Sequence, residues 1–157
     1  MNKYYFKNIL IVKHGSLGDI AFSILAMDSI RKYFDDSKID LLTDNKYKNF
    51  LKKSRYFHSI IEDRREGFFN SLKVILEIKK NNYDLIIDLQ NSKRTNFYWL
   101  ILKTVSNIKI NGSRSNSNIR YRIPIQGTES PQQGLYNQLK LIGLSQISND
   151  VEWLETN

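Results

Sequence analysis

The chain has 157 residues, enough for one domain with a hydrophobic core and too few for a second full domain. Its 24 Lys and Arg against 16 Asp and Glu give a net charge of +8, which favours partners that carry phosphate, carboxylate or anionic lipid groups. The lysines are spread along the whole chain, so the charge does not favour nucleic acid. The sequence has no cysteine and no run close to the roughly 20 apolar residues of a membrane span. We therefore expect a cytoplasmic protein whose contact with a membrane, if it makes one, is peripheral.

Strand and helix patterns alternate four times, beginning at the N-terminus. Residues 8–13 contain the continuous apolar run ILIV, which is mostly β-branched and predicts a buried strand. From Ile20 to Phe34 apolar residues recur every three or four positions, which predicts an amphipathic helix. Three further pairs follow, with strands predicted at 38–43, 58–63 and 84–89, and helices at 44–54, from Phe68 to near 79–82, and at 95–103. This alternation predicts an α/β fold, a mostly parallel sheet with helices on both faces.

After Asn111 the pattern weakens. Residues 112–131 are polar and rich in turn formers, so we expect a flexible loop with a short strand at 119–125. Residues 131–144 predict a helix that ends near Gly143, and residues 150–157 predict a strand or a linker. The expected organisation is one domain over residues 1–150, followed by the start of a linker at 151–157.

Polar loops follow all four predicted strands. They read HGSLGD, TDN, EDRR and QNSKR, and in a parallel sheet they meet at one edge, where ligands bind. Loops are polar in any soluble domain, so this pattern alone leaves a purely structural interpretation open.

The loop HGSLGD at residues 14–19 permits two interpretations. In the first, Gly15 and Gly18 serve the turn and Asp19 is the N-cap of the following helix. In the second, the helix dipole keeps the Asp19 carboxylate ionised and ready to accept a proton from a substrate hydroxyl late in a reaction such as sugar transfer. Lys13 and His14 could bind phosphate or carboxylate, although a lone histidine beside a strand end is more often only a loop residue. The loop is neither the dinucleotide fingerprint nor a phosphate-binding P-loop, and the sequence has no metal-ligand spacing or serine nucleophile motif.

Three segments in order carry a resemblance to a known family: ILIVKHGSLGDI, IDLLTDNKYKNFLKKSRYFHSIIEDRR and YDLIIDLQNSKRTNFYWLIL. Together they resemble the N-terminal domain of the family 9 glycosyltransferases, the ADP-heptose:lipopolysaccharide heptosyltransferases. The resemblance implies a Rossmann-like domain that forms the N-terminal half of a GT-B enzyme. In that family the N-terminal domain holds the lipopolysaccharide inner-core acceptor, the C-terminal domain binds ADP-heptose, and transfer inverts the anomeric centre without a metal or other cofactor.

The resemblance also implies roles for particular residues. The aspartate of the SLGD loop is the family's general base, which makes Asp19 the predicted catalytic residue. Basic residues of the N-terminal domain bind the acceptor's Kdo and phosphate groups. By their place at strand ends, the predicted substrate-binding residues are Lys13, His14, Ser16, Gly18, Arg64, Arg65, Gln90, Lys93 and Arg94. A second set comprises Arg55, Arg114, Arg120 and Arg122.

Family members are about twice as long as this sequence. We therefore expect an acceptor-binding half that lacks the donor site and is inactive alone, and whose donor domain a second chain could supply. One alternative is a non-catalytic module that binds an anionic glycan or a phosphorylated ligand. Another is a flavodoxin-like regulator, which is disfavoured because no paired acidic residues follow the first strand. An apolar face made to pack on a partner domain would cause self-association or poor solubility.

Overall fold

The computed structural model describes residues 5–125 and 127–148. In these residues six strands form one parallel sheet: β1 (Asn8–Val12), β2 (Lys38–Thr43), β3 (Ser59–Glu62), β4 (Leu85–Asp88), β5 (Lys109–Gly112) and β6 (Ile119–Arg120). Five helices accompany them: α1 (Leu17–Tyr33), α2 (Asn45–Lys52), α3 (Gly67–Lys80), α4 (Lys93–Val105) and α5 (Pro131–Lys140). The predicted α/β class is confirmed, and the fold is Rossmann-like.

The order of the strands is β3-β2-β1-β4-β5-β6. The chain builds outward from β1 to β3 and then crosses back, so that β4 pairs with the other side of β1, with Ile9 opposite Leu85. The connections after β1 and β4 therefore leave in opposite directions. A crevice opens at the carboxyl ends of these two strands, which is where open parallel sheets bind ligands.

Helices cover both faces of the sheet, as predicted. On one face α1, α2 and α5 pack on alternate strand residues such as Ile9 and Ile11. On the other face α3 and α4 pack on the intervening residues, such as Leu10 and Val12. The four residues from Ile9 to Val12 are all fully buried, which explains why β1 is apolar without interruption.

Some predicted boundaries are wrong. Helix α1 begins at Leu17 rather than Ile20, because Ser16 is its N-cap: the Ser16 hydroxyl accepts from the Asp19 amide and the Asp19 carboxylate accepts from the Ser16 amide. Asp19 is thus the third residue of the helix and not its N-cap. Gly18 lies inside the helix, so only Gly15 serves the turn, with φ at +119°. Asp44 is the N-cap residue of α2 as predicted, but its side chain makes no capping bond.

The largest difference lies after Asn107. Strand β5 was not predicted, and the predicted strand at 119–125 is reduced to Ile119–Arg120. Instead of a free loop, the connection between them is tied to α4 by the Asn116 amide, whose nitrogen donates to the Asn96 carbonyl at 3.0 Å. The predicted helix at 131–144 ends at Lys140, and Gly143 follows it with φ at +101°. The predicted strand or linker at 150–157 lies outside the described residues.

Candidate functional site

An open cavity of about 1180 Å³ lies at the carboxyl ends of β1 and β4. Its floor and near wall come from Lys13, the start of α1 and Leu89. Its far wall comes from the β5–β6 connection, the segment after β6 and the start of α5. Its polar lining residues are Lys13, Asp19, Ser23, Asn91, Asn96, Ser113, Arg114, Ser115, Arg120, Tyr121, Arg122, Glu129, Ser130 and Gln138.

Asp19 presents its carboxylate to this cavity from the first turn of α1. Its Oδ2 accepts hydrogen bonds from the Ser16 amide and the Ser16 hydroxyl, both at 2.9 Å. Among the described residues no donor reaches its Oδ1, and the side chain is exposed. One carboxylate oxygen is therefore fixed by the cap, while the other is open to a ligand.

Hydrogen bonding also sets the charge of Asp19. The Ser16 amide, and after it the Ser16 hydroxyl, lower the pKa of the Asp19 carboxyl, and the positive charge of Lys13 lowers it further. The group is therefore ionised at neutral pH and able to accept a proton.

Gly15 determines how closely the loop passes over this carboxylate. Its φ of +119° is one that residues with side chains rarely adopt, and a Cβ there would lie 2.7 Å from Asp19 Oδ2. The turn and the position of the carboxylate thus require glycine at the same place. Gly18 is different, because a Cβ there would meet nothing closer than the Ser16 hydroxyl at 3.8 Å.

Lys13 lies in the floor of the cavity between two carboxylates. Its ammonium group is 3.5 Å from the Leu89 carbonyl oxygen, and only 9% of the residue is exposed. Burial lowers the pKa of Lys13, while the negative charges of Asp19 and Asp88 oppose that effect.

Asp88 ends β4 and lies fully buried beneath this floor. Its Oδ2 accepts from Trp99 Nε1 at 2.7 Å, and its Oδ1 accepts from the backbone amides of Gln90 and Asn91 at 3.0 and 2.8 Å. Burial raises its pKa, and these hydrogen bonds act in the opposite direction. Asp88 thus fixes the loop after β4.

Three arginines on the far wall bring positive charge to the cavity. Arg114 and Arg120 each use one guanidinium nitrogen to hold the wall, donating to the Asn91 and Ser113 carbonyls respectively. Arg122 is exposed and makes no ion pair or hydrogen bond within the described part of the chain. All three belong to the second set of predicted binding residues. The structure brings them to the cavity that holds Asp19.

A network of side-chain amides holds the far wall to the sheet. Gln138 of α5 is buried, and its Nε2 donates to the Asp88 carbonyl at 3.0 Å and to Asn111 Oδ1 at 3.1 Å. Its Oε1 accepts from Asn91 Nδ2 at 2.8 Å. Asn91 in turn accepts the Ser113 amide at 2.7 Å. The Gln138 side chain thus joins the ends of β4 and β5, and Asn91 connects them to the start of the far wall.

His14 does not line the cavity. It is 1% exposed, and its Nε2 lies 3.2 Å from Asp63 Oδ2. Asp63 also accepts from the Arg65 amide at 2.8 Å, Asn70 Nδ2 at 3.0 Å and the Tyr98 hydroxyl at 2.7 Å. Burial alone would raise the pKa of Asp63, but the hydrogen bonds from His14, Tyr98 and the Arg65 amide outweigh it and lower the pKa to about 2. The pair ties the loop after β1 to the end of β3.

The basic residues after β3 and β4 lie outside the cavity and are largely occupied by neighbours. The Arg65 guanidinium makes two contacts of 3.0 Å with the Asp44 carboxylate. Arg94 donates from Nη1 to the Arg65 carbonyl at 3.2 Å and lies over the Tyr98 ring. Arg64 is exposed and 3.3 Å from Glu62.

The other predicted binding residues also lie outside the cavity. Lys93 is exposed at the start of α4. Gln90 binds inward, accepting the His14 amide at 3.0 Å. Ser16 and Gly18 belong to the start of α1, where Ser16 acts on Asp19 rather than lining the cavity. Arg55 is likewise absent from the lining.

Sequence reasoning missed the polar residues of the far wall. Asn91, Asn96, Ser113 and Gln138 lie far apart in the sequence, and no motif joins them. The signal that could have found the wall is the alternating run IKIN at 108–111, most of which lies in β5. In the described residues no group of three or more His, Asp and Glu side chains could hold a metal ion, and no helix is long and apolar enough to cross a membrane.

The fold and this crevice define a Rossmann-like domain with a cationic cavity at the carboxyl edge of its sheet. No family model matches the chain. Over 86 residues the chain is 31% identical to lipopolysaccharide heptosyltransferase 1 of Campylobacter coli, a match that covers 52% of this chain and 25% of that protein.

Solved structures show the same fold. A family 9 glycosyltransferase from Veillonella parvula superposes with a TM-score of 0.74 at 19% identity, covering 92% of this chain and 44% of that one. The E. coli heptosyltransferase WaaC, solved with ADP-2-deoxy-2-fluoro heptose, gives 0.67 at 14% identity, covering 93% and 51%. The resemblance to the family 9 glycosyltransferases is confirmed, and the chain has a heptosyltransferase-like fold. It spans about half the length of these solved chains and a quarter of the curated relative.

Proposed function

We propose that these residues form the acceptor-binding half of a heptosyltransferase-like inverting glycosyltransferase, with Asp19 as the general base. The observation that carries the proposal is that an exposed, ionised carboxylate with one free oxygen opens onto the same cavity as three arginines and a lysine. A base and a set of cations in one cavity suit a sugar acceptor that carries both a nucleophilic hydroxyl and acidic groups.

The proposed chemistry uses the two oxygens of Asp19 differently. Oδ2 stays bound to Ser16, which keeps the side chain in place, while Oδ1 accepts the proton of the acceptor hydroxyl. The hydroxyl oxygen attacks the anomeric carbon of ADP-heptose, and ADP leaves with the electron pair of the broken carbon–oxygen bond. A carboxyl with a lowered pKa is a weak base, so the proton moves late, when the attacking oxygen has already become acidic.

The cations of the cavity would bind the acceptor's acidic groups. Arginine forms paired hydrogen bonds with carboxylate and phosphate, and Arg122 has its whole guanidinium available. The positive charge of Lys13 would offset the negative charge of Asp19. In this assignment the basic residues after β3 and β4, Arg64 and Lys93 among them, lie outside the cavity that binds the acceptor.

The donor side of the reaction is proposed to lie outside these 157 residues. The E. coli relative is solved with an ADP-heptose analogue, and the present chain corresponds to about half of that structure. We therefore propose that ADP-heptose binds a second domain, on the same chain or on a separate one. The acceptor would be a lipopolysaccharide inner core or a similar anionic sugar, met at the cytoplasmic face of the inner membrane.

Titration calorimetry tests this assignment directly. The chain is titrated with ADP-heptose and, separately, with a Kdo-containing acceptor. We expect the acceptor to bind and ADP-heptose not to bind. Binding of ADP-heptose would mean that this sheet holds the nucleotide, which would overturn the roles of the cavity and of Asp19. Failure of the acceptor to bind would also overturn the proposal.

Three variants locate the acceptor. Arg122→Ala should weaken acceptor binding by about tenfold, because it removes a charge-assisted contact without disturbing any bond inside the protein. Lys109→Ala, at the amino edge of the sheet, removes the same charge and should leave the affinity unchanged. Arg64→Ala tests the basic residues that follow β3 against those that line the cavity. If Arg64→Ala weakens acceptor binding and Arg122→Ala does not, the acceptor binds beside the loop after β3 instead of in the cavity.

A further inference from the structure

Helices α3 and α4 expose apolar side chains on the surface that faces away from the sheet. Phe69 is 79% exposed, Leu76 64%, Phe68 59% and Leu100 50%. These four residues, with the part-buried Phe97, define what we call the α3–α4 face. Large apolar side chains gathered on one surface of a protein usually mark a contact with another molecule.

The positions of these residues follow the helical repeat. Phe69 and Leu76 are seven residues apart, which puts them on the same side of α3 after two turns. The Phe68 ring lies 6.1 Å from that of Phe69 and 6.3 Å from that of Phe97 on α4, so the two helices share one apolar surface. The core is filled from the opposite side of α3 by residues such as Ile75 and Ile78, so it does not need the exposed ones.

The same two helices are strongly basic. They carry six cations and one acid, Glu77, giving +5 of the net +8 of the chain. The cations are Lys73, Lys79, Lys80, Lys93, Arg94 and Lys103. Within the part of the chain that the structure describes, none of the five lysines makes an ion pair, and all are exposed. Helix α2 is basic as well, with Lys46, Lys48 and Lys52, but none of the exposed large apolar residues belongs to it.

We propose that the α3–α4 face binds the surface of a membrane that contains anionic lipids. Unpaired lysines beside exposed phenylalanine and leucine match a lipid interface, where phosphates attract the ammonium groups and the apolar side chains enter the boundary between headgroups and acyl chains. An acidic protein partner would complement the lysines, but it would not explain why a large exposed apolar surface lies beside them.

The orientation of the helices places the proposed contact near the candidate site. Both helices begin at the carboxyl edge of the sheet, since α3 follows β3 and α4 follows β4. Phe68, Phe69 and Lys93 therefore lie at the same edge as the cavity. The face itself is separate from the cavity lining, so the inference stands independently of the function proposed for Asp19.

Vesicle co-sedimentation of the full chain tests the inference. Vesicles of phosphatidylcholine are compared with vesicles of phosphatidylcholine and phosphatidylglycerol, at low and high salt. We expect binding only to the anionic vesicles, weakened by salt. The double variant Phe69→Ser with Leu76→Ser should lose at least about tenfold in vesicle affinity. Lys73→Glu with Lys93→Glu should lose more, since each lysine near an anionic surface contributes about fivefold.

Two controls keep the result specific. Lys46→Glu with Lys52→Glu on α2 changes the net charge by the same amount, and Leu141→Ser removes another exposed apolar side chain. Both should keep most of the affinity. All the altered side chains are exposed, and a thermal melt confirms that each variant folds.

Three outcomes would overturn the inference. The first is that the wild-type protein does not bind anionic vesicles. The second is an α2 variant that loses as much affinity as the α3–α4 variants, because binding would then follow net charge alone. The third is a concentration-dependent dimer in sedimentation velocity that Phe69→Ser with Leu76→Ser abolishes while vesicle affinity is unchanged, which would assign the face to a second copy of the chain.

Discussion

At the scale of single residues, Asp19 caps helix α1 from its third position rather than as the N-cap. Its carboxylate completes a capping box with Ser16, and the same hydrogen bonds lower its pKa and hold it at the mouth of the cavity. Capping uses Oδ2 alone, so the structural role leaves Oδ1 available. A capping role and the proposed catalytic role are therefore compatible at this position.

Ser16→Ala separates the two effects. Loss of the hydroxyl removes one of the bonds to the Asp19 carboxylate, so the pKa of Asp19 should rise towards its usual value. Loss of the cap should also lower the free energy of unfolding by about 1 kcal/mol. An NMR titration of the Asp19 carboxyl carbon measures the first effect and urea unfolding the second. Ser130→Ala, at the N-cap of α5, should cost similar stability and leave the Asp19 pKa unchanged.

Asp63 predicts an acid-sensitive stability. Its pKa in the folded protein is about 2, below the value of about 3.9 for an unfolded aspartate. A lowered pKa stabilises the protein above the unfolded value, and this contribution is lost as the pH falls from about 4 towards 2. Asp63→Asn should remove this dependence and lower the free energy of unfolding at neutral pH by about 3 kcal/mol. Urea unfolding at a series of pH values measures the free energy of unfolding and its pH dependence. If the free energy of Asp63→Asn falls between pH 4 and 2 as steeply as that of the wild type, the assignment is wrong.

At the scale of elements, the cavity exists because α5 is fixed against the ends of β4 and β5. The fixing is polar: Gln138 contacts Asp88 and Asn111 at once, while Leu135 and Leu139 supply the apolar contact. Buried amides without partners are costly, so this junction is specific to one arrangement of the helix.

Gln138→Leu should loosen α5. The substitution removes the side-chain partner of Asn91 Nδ2, of Asn111 Oδ1 and of the Asp88 carbonyl, which should lower the free energy of unfolding by about 2 kcal/mol. Hydrogen exchange should show lost protection in α5 with the central strands unaffected. Gln132→Leu on the exposed side of the same helix should change stability by less than about 0.5 kcal/mol. Equal effects of the two changes would mean that the amide network does not hold the helix.

At the scale of the whole molecule, the protein has a net charge of +8, and four of its cationic side chains line the cavity: Lys13, Arg114, Arg120 and Arg122. Inorganic pyrophosphate should therefore bind the cavity and raise the melting temperature by mass action, about 2–4 °C for each kcal/mol of stabilisation. Added salt should reduce the shift, because screening weakens the attraction. Arg122→Ala should reduce the shift and Lys109→Ala should not, as measured by differential scanning calorimetry. A shift that Arg122→Ala leaves intact would place the anion elsewhere.

The exposed apolar surface is also a property of the whole molecule. The sequence predicted that a face left in water would cause self-association, and the structure exposes apolar side chains both on the α3–α4 face and at the cavity wall, where Ile123 and Ile125 are exposed. Self-association stays a prediction, and sedimentation velocity of the wild-type chain measures it.

The sequence by itself determined the fold class, the first four strands and the place of the SLGD loop at the edge of the sheet. These features depend on apolar periodicity and on the polar residues at strand ends. Both patterns are visible in residues that lie close together in the sequence. It also placed Asp19 at the start of the following helix, although at the N-cap rather than at the third helical position, because Ser16 and Asp19 are both residue types that cap helices.

Only the tertiary structure decided which cations share a cavity with Asp19. The sequence favoured Arg64, Arg65, Lys93 and Arg94 because they follow strands, but three of them are paired with neighbours and none lines the cavity. Arg114, Arg120 and Arg122 reach it because β5 and β6 bring a distant segment back beside β1 and β4. That approach depends on pairing between residues far apart in the chain and on the amide contacts of Gln138, and no local pattern encodes either.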